Sequence, residues 1–146
     1  MTTTDMFAKW DPWWWYKDVP ASIVAIHDDA EGFRVILNAE KCPPTRVSVA
    51  PGHLIMFRVY DEVSLSYLNP SGLQPGHSFY QAESSKLLKE AETMNVLHSV
   101  GRSSAHYAIY TGWRCIDMIC TQEPRFILLS EFVVGGRKSE RPERSS

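Results

Sequence analysis

The chain has 146 residues, 44% hydrophobic and 22% charged, enough for one domain whose core needs neither disulfides nor metal. Its 15 basic and 17 acidic side chains give a formal charge of −2, without the basic excess that nucleic-acid binding requires. No window approaches the ~18 apolar residues that span a bilayer.

Charge is unevenly placed. Arg137, Lys138, Arg141 and Arg144 face only Glu140 and Glu143 in the last twelve residues, which leaves residues 1–134 at −4. The composition therefore predicts a single globular domain over 1–134 and a disordered, charged tail over 135–146 with no residue to anchor it in a core. Cys42, Cys115 and Cys120 are an odd set without paired spacing, so no disulfide framework is expected. Reduced thiols and an N-terminus without a basic, then apolar, leader suit a soluble cytoplasmic protein.

The segment from Trp10 to Tyr16 (WDPWWWY) comes first in chain order. Trp13, Trp14, Trp15 and Tyr16 are candidates for a partner-binding patch, because indole and phenol rings are favoured at interaction hot spots. Core packing over an open sheet end and a sugar- or base-stacking platform are the other readings. Residues 22–27 and 33–37 read as strands of a hairpin, with turn chemistry from Asp28 to Gly32. Cys42-Pro43-Pro44 reads as a breaker before a short extended piece from Arg46 to Val49. Residues 53–60 (HLIMFRVY) form an apolar run of strand length. Val63, Leu65 and Tyr67 then alternate with Ser64 and Ser66, a period of two that predicts a half-exposed strand.

The principal helix falls at 84–99. Leu87, Leu88, Ala91, Met94 and Leu97 recur at helical spacing, and Ser84 or Ser85 can cap its free amides. Residues 105–111 and 113–120 form a hairpin about Thr111-Gly112, with Trp113 among its apolar residues. Phe126 to Val134 is a last strand. This order predicts an α+β fold, mostly antiparallel sheet, with the helix packed on one face.

Catalytic patterns are sparse. The five histidines lack metal-ligand spacing, no serine sits in a nucleophile elbow, and no glycine-rich loop lies in a strand–helix frame. No metal and no cofactor are expected. His27 and Asp28 are neighbours in a strand and point to opposite faces, which favours a solvated turn over a site. Asp117 lies inside an apolar strand, where a carboxylate needs a partner; Arg58, Arg114 and His106 are the candidates.

Phe57 to Glu62, a helix, then His106 to Tyr110 and Ile116 to Ile119, with Pro124 after, carry a resemblance. Over roughly residues 53–127 the chain resembles small bacterial proteins of the polymorphic- and contact-delivered-toxin immunity type. That resemblance implies Glu62, His106, Tyr107 and Asp117 as recurring positions, which a polar network holding the sheet explains as well as a site does. It also implies a non-enzymatic binding protein that covers the active site of a toxin, and the mildly acidic body suits a basic partner. The rival readings are a small enzyme or small-molecule binder with a pocket between helix and sheet near Glu62, His106 and Asp117, and a homodimer that buries its tryptophans between subunits.

Overall fold

A computed structural model describes residues 5–10, 20–40, 42–68, 70–94 and 103–129. Trp13, Trp14, Trp15, Tyr16 and the 135–146 tail lie outside the described residues, as do 95–99 of the expected helix and the last strand beyond Leu129.

The apolar runs build two antiparallel sheets. Strands β2 (Ala21–Asp29), β3 (Gly32–Ala39), β4 (Cys42–Val49) and β9 (Arg125–Leu128) lie in that order in one. The other follows the order β1-β6-β7-β8-β5, with β1 (Ala8–Lys9), β6 (Phe79–Ala82), β7 (Ala105–Tyr110), β8 (Arg114–Cys120) and β5 (Leu54–Asp61). Alternation sends one set of side chains from each sheet between them. Phe33, Val35, Leu37, Val47 and Val49 meet Phe79, Tyr107, Ile109, Ile116, Met118 and Trp10 there, all buried. The chain is thus α+β, mostly antiparallel, with one principal helix, α2 (Lys86–Met94).

Helix α2 covers the outer face of the five-stranded sheet. Leu87, Leu88 and Ala91 pack on Ile119, Ile55 and Met56, while Met94, expected on the apolar stripe, is exposed. Ser85 is the cap: its Oγ accepts the Leu88 N–H at 3.0 Å, and Asp5 takes the Lys86 N–H at 3.0 Å. The N-terminal segment is held in turn by Phe7 N–H to Ser71 O and Ser71 N–H to Asp5 O. Gly72 at φ +94° permits this contact, since a Cβ there would overlap the Phe7 carbonyl.

Two expectations need correction. Residues 62–68 are not a strand but a 3-10 turn (Glu62–Ser64) running into α1 (Leu65–Leu68). The serines and Val63 alternate as in a strand, but the chain leaves the sheet at Asp61, and the Glu62 N–H closes onto Trp113 O. Cys42-Pro43-Pro44 does not break the chain; it begins β4. The β3–β4 register slips between Leu37 and Ala39, so both prolines sit where no regular ladder bond is asked of them. No helix among the described residues is long and apolar enough to cross a membrane.

Candidate functional site

The outer face of the five-stranded sheet carries a buried polar network centred on Asp117. Asp117 lies on β8, opposite Arg58 of β5 and Ala108 of β7. The period of two puts His106 and Tyr110 on the same face of β7, and Arg58 and Tyr60 on the same face of β5.

All four converge on one carboxylate. Oδ1 accepts from His106 Nε2 at 2.7 Å and from the Tyr110 hydroxyl at 2.6 Å. Oδ2 accepts from Arg58 Nε at 2.7 Å and the Tyr60 hydroxyl at 2.7 Å. The line continues outward from the sheet, because His106 Nδ1 is 2.8 Å from Ser85 Oγ. With the proton on Nε2, His106 donates to Asp117 and accepts from the Ser85 hydroxyl, whose lone pair holds the Leu88 amide. Every donor in the line then has an acceptor. The ring of Phe7 closes the top, edge-on to His106 at 5.0 Å and to Tyr110 at 5.8 Å.

The electrostatics follow from this saturation. Burial pushes the Asp117 carboxyl up, but hydrogen bonds from His106, Tyr110 and Arg58 hold it down at about 2. Burial raises the Tyr60 and Tyr110 hydroxyls, and the Asp117 charge raises them further, so both remain donors. Burial also pushes the Cys115 and Cys120 thiols up to about 12, which keeps them protonated and unreactive.

Because the folded Asp117 pKa lies below its unfolded value, its stabilisation is fully present above about pH 4 and is lost as pH falls through about 2. The shift corresponds to about 2 kcal/mol. Urea midpoints should therefore fall between pH 6 and pH 2.5. Asp29 is also held near 2, by its hydrogen bond with Arg34 and then by the Glu31 amide, but it lies open to water. The Asp29→Asn variant should keep the acid slope, and its loss there would show that the slope comes from the surface.

Serine, histidine and aspartate in line invite comparison with a hydrolytic triad. The wiring is that of a structural relay. Ser85 Oγ is committed to a helix amide, and Ser85, His106 and Asp117 are 4%, 0% and 0% exposed. A general base must reach a substrate proton, and among the described residues these three side chains are closed to solvent. A cavity of about 250 Å3 does lie between α2 and β5, but Asp5, Arg58, Leu68, Lys86, Leu87 and Glu90 line it, without Glu62, His106 or Asp117.

Of the four residues the resemblance implied, the structure brings together His106 and Asp117. Tyr107 follows His106 on β7 and faces the opposite side, against Trp10 at 4.8 Å. Glu62 stands exposed in the 3-10 turn. Arg58, Tyr60, Ser85 and Tyr110 complete the network in their place. The parity of β7 separates Tyr107 from His106 and places Tyr110 with it, a signal already present in the sequence; the long-range arrival of Ser85 has no such signal. His27, Asp28 and Asp29 are the exposed end of β2, paired with β3 just before the turn at Ala30 and Glu31, and Arg34 clasps Asp29 with two bonds of 2.7 and 2.9 Å. Among the described residues no group of His, Cys, Asp or Glu is placed to hold a metal ion.

A second feature lies on the surface. Trp113 is 77% exposed at the β7–β8 bend, not buried with the hairpin core. Its backbone is fixed: Thr111 Oγ accepts the Trp113 and Arg114 amides at 3.2 and 2.8 Å, and Trp113 O accepts from Glu62 N at 3.1 Å. Asp61, Glu62, Val63, Gly112 and Trp113 line a shallow cavity of about 250 Å3. No family model, no curated protein and no solved structure matches the chain.

Proposed function

We propose that the protein is a non-enzymatic binding protein of the toxin-immunity type, acting in the cytoplasm, with Trp113 as its anchor on a protein partner. The exposure of Trp113 on a backbone fixed by three hydrogen bonds carries this reading. A large aromatic side chain on a fixed backbone leaves only its own rotamers to be ordered on docking, and tryptophan is among the residues that dominate interface energetics. Asp61 and Glu62 beside it, on a body of net charge −4, favour a basic partner such as the active-site face of a nuclease. The buried network supports the same reading, since its acid–base groups are spent on holding helix to sheet.

Affinity capture from the native host tests this. The wild-type chain should recover a basic protein that salt weakens, and Trp113→Ala should lose it while folding normally. Truncating a hot-spot tryptophan costs about 2 kcal/mol or more of binding, roughly thirtyfold in affinity. A surface change of this kind moves stability by under ~0.5 kcal/mol. Equal recovery by the two chains would overturn the assignment.

A further inference from the structure

We propose that the free edge of β5 is a docking site where an extended segment of the partner, carrying basic and apolar side chains, adds to the five-stranded sheet. The proposal rests on the protein-binding reading and names the segment that such a partner presents.

Among the described residues β5 pairs with β8 alone. Its sequence, LIMFRVYD, is apolar, and every residue from Leu54 to Tyr60 is partly exposed, whereas β8 beyond Arg114 is buried throughout. Exposed apolar edges invite pairing, and proteins blunt them with lysine, proline or bulges. Here a bulge falls only at Leu54–Met56, and Arg58 turns onto Asp117.

The backbone phase is set by the flanking bonds. Thr111 N–H bonds Arg114 O, which by alternation gives Arg114, Ile116 and Met118 to β7. Glu62 N–H bonds Trp113 O, which gives Trp113, Cys115 and Asp117 to β5, opposite Glu62, Tyr60 and Arg58. The amides of Phe57, Val59 and Asp61 therefore point away from the sheet.

Side-chain chemistry runs along the same edge. A groove of about 450 Å3 flanks Leu54 to Phe57, with the Phe33 and Phe57 rings 4.5 Å apart in its wall and Asp28 at its rim. An apolar side chain of an added strand fits there. Asp61 and Glu62 lie at the other end, roughly 26 Å along an eight-residue strand. Arg34 answers Asp29, Arg58 answers Asp117, and Arg114 stands opposite Asp61, so Asp28 and Glu62 leave both ends acidic. A second copy paired antiparallel about a two-fold axis would set Asp61 and Glu62 against Asp28 at both ends. Like charges oppose that arrangement, and a basic strand is drawn to it.

The test uses the 15N-labelled full chain and an acetylated, amidated octapeptide of alternating valine and lysine. Binding should slow hydrogen exchange at the Phe57, Val59 and Asp61 amides by about tenfold or more. Salt should weaken it, and the glutamate counterpart or a version N-methylated at alternate residues should fail. Unchanged exchange at these amides, or equal slowing by the glutamate peptide, would overturn the proposal. So would protection in the peptide-free monomer, which means the chain covers its own edge, or protection that grows with protein concentration, which means a second copy does. If the peptide fails while capture remains sensitive to Trp113→Ala, only the strand-docking proposal falls.

Discussion

Replacing Asp117 with asparagine is expected to destabilise the fold by about 3–5 kcal/mol. The substitution keeps size and shape, so no cavity term enters. It removes the only charge that answers Arg58 within the network, and it leaves four donors converging on a group that can no longer accept from all of them. An amide nitrogen in place of either oxygen faces a pair of donors: His106 and Tyr110 on one side, Arg58 and Tyr60 on the other. Each unsatisfied buried group costs about 1–3 kcal/mol. For a domain of this size, 1 kcal/mol is about 4 °C, so the melting temperature should fall by roughly 12–20 °C. A thermal melt checks this, and a loss under ~1 kcal/mol would mean that the network is ornamental to stability.

Trp10→Ala is expected to cost a similar ~3–5 kcal/mol, by a different mechanism. Trp10 is 2% exposed and sits where the two sheets meet, touching Phe79 of β6, Tyr107 of β7 and Phe126 of β9 at centroid distances of 6.2, 4.8 and 5.5 Å. Its indole N–H also donates to Glu123 at 2.8 Å. Truncation leaves a hole between sheets with no flexible side chain among those three rings to fill it. Trp10→Phe keeps much of the packing and loses the hydrogen bond, so its cost should be nearer ~1–2 kcal/mol. Denaturant midpoints for the pair separate packing from hydrogen bonding, and equal losses would show that the bond to Glu123 dominates.

The sequence makes some of this legible and hides the rest for physical reasons. The strands β2, β3, β5, β7 and β8 show as apolar runs of strand length, and the α2 stripe shows at helical spacing, because those patterns are local. The division into two sheets depends on which runs lie face to face, and no local pattern records that. Val63 to Leu68 mimics a strand because alternation over a few residues cannot be told from a helical turn with polar gaps. Pro43 and Pro44 mimic a break, and only the register slip opposite Leu37–Ala39 makes room for them in β4. For Asp117, the cost of a carboxylate in an apolar strand points to a partner, and two of the three expected candidates, Arg58 and His106, are there. Ser85 is expected as a cap and is one; its second bond, to His106, arises because α2 lands on β7. Trp113 counts as apolar by composition, yet the bend that Thr111 fixes turns it to water.

The most direct test of the binding assignment is titration calorimetry of the captured partner against wild type and Trp113→Ala, with melts of the same samples. Trp113→Ala should lose about thirtyfold or more in affinity, with the two melting temperatures within about 2 °C of each other. Unchanged affinity in a folded Trp113→Ala chain would contradict the assignment.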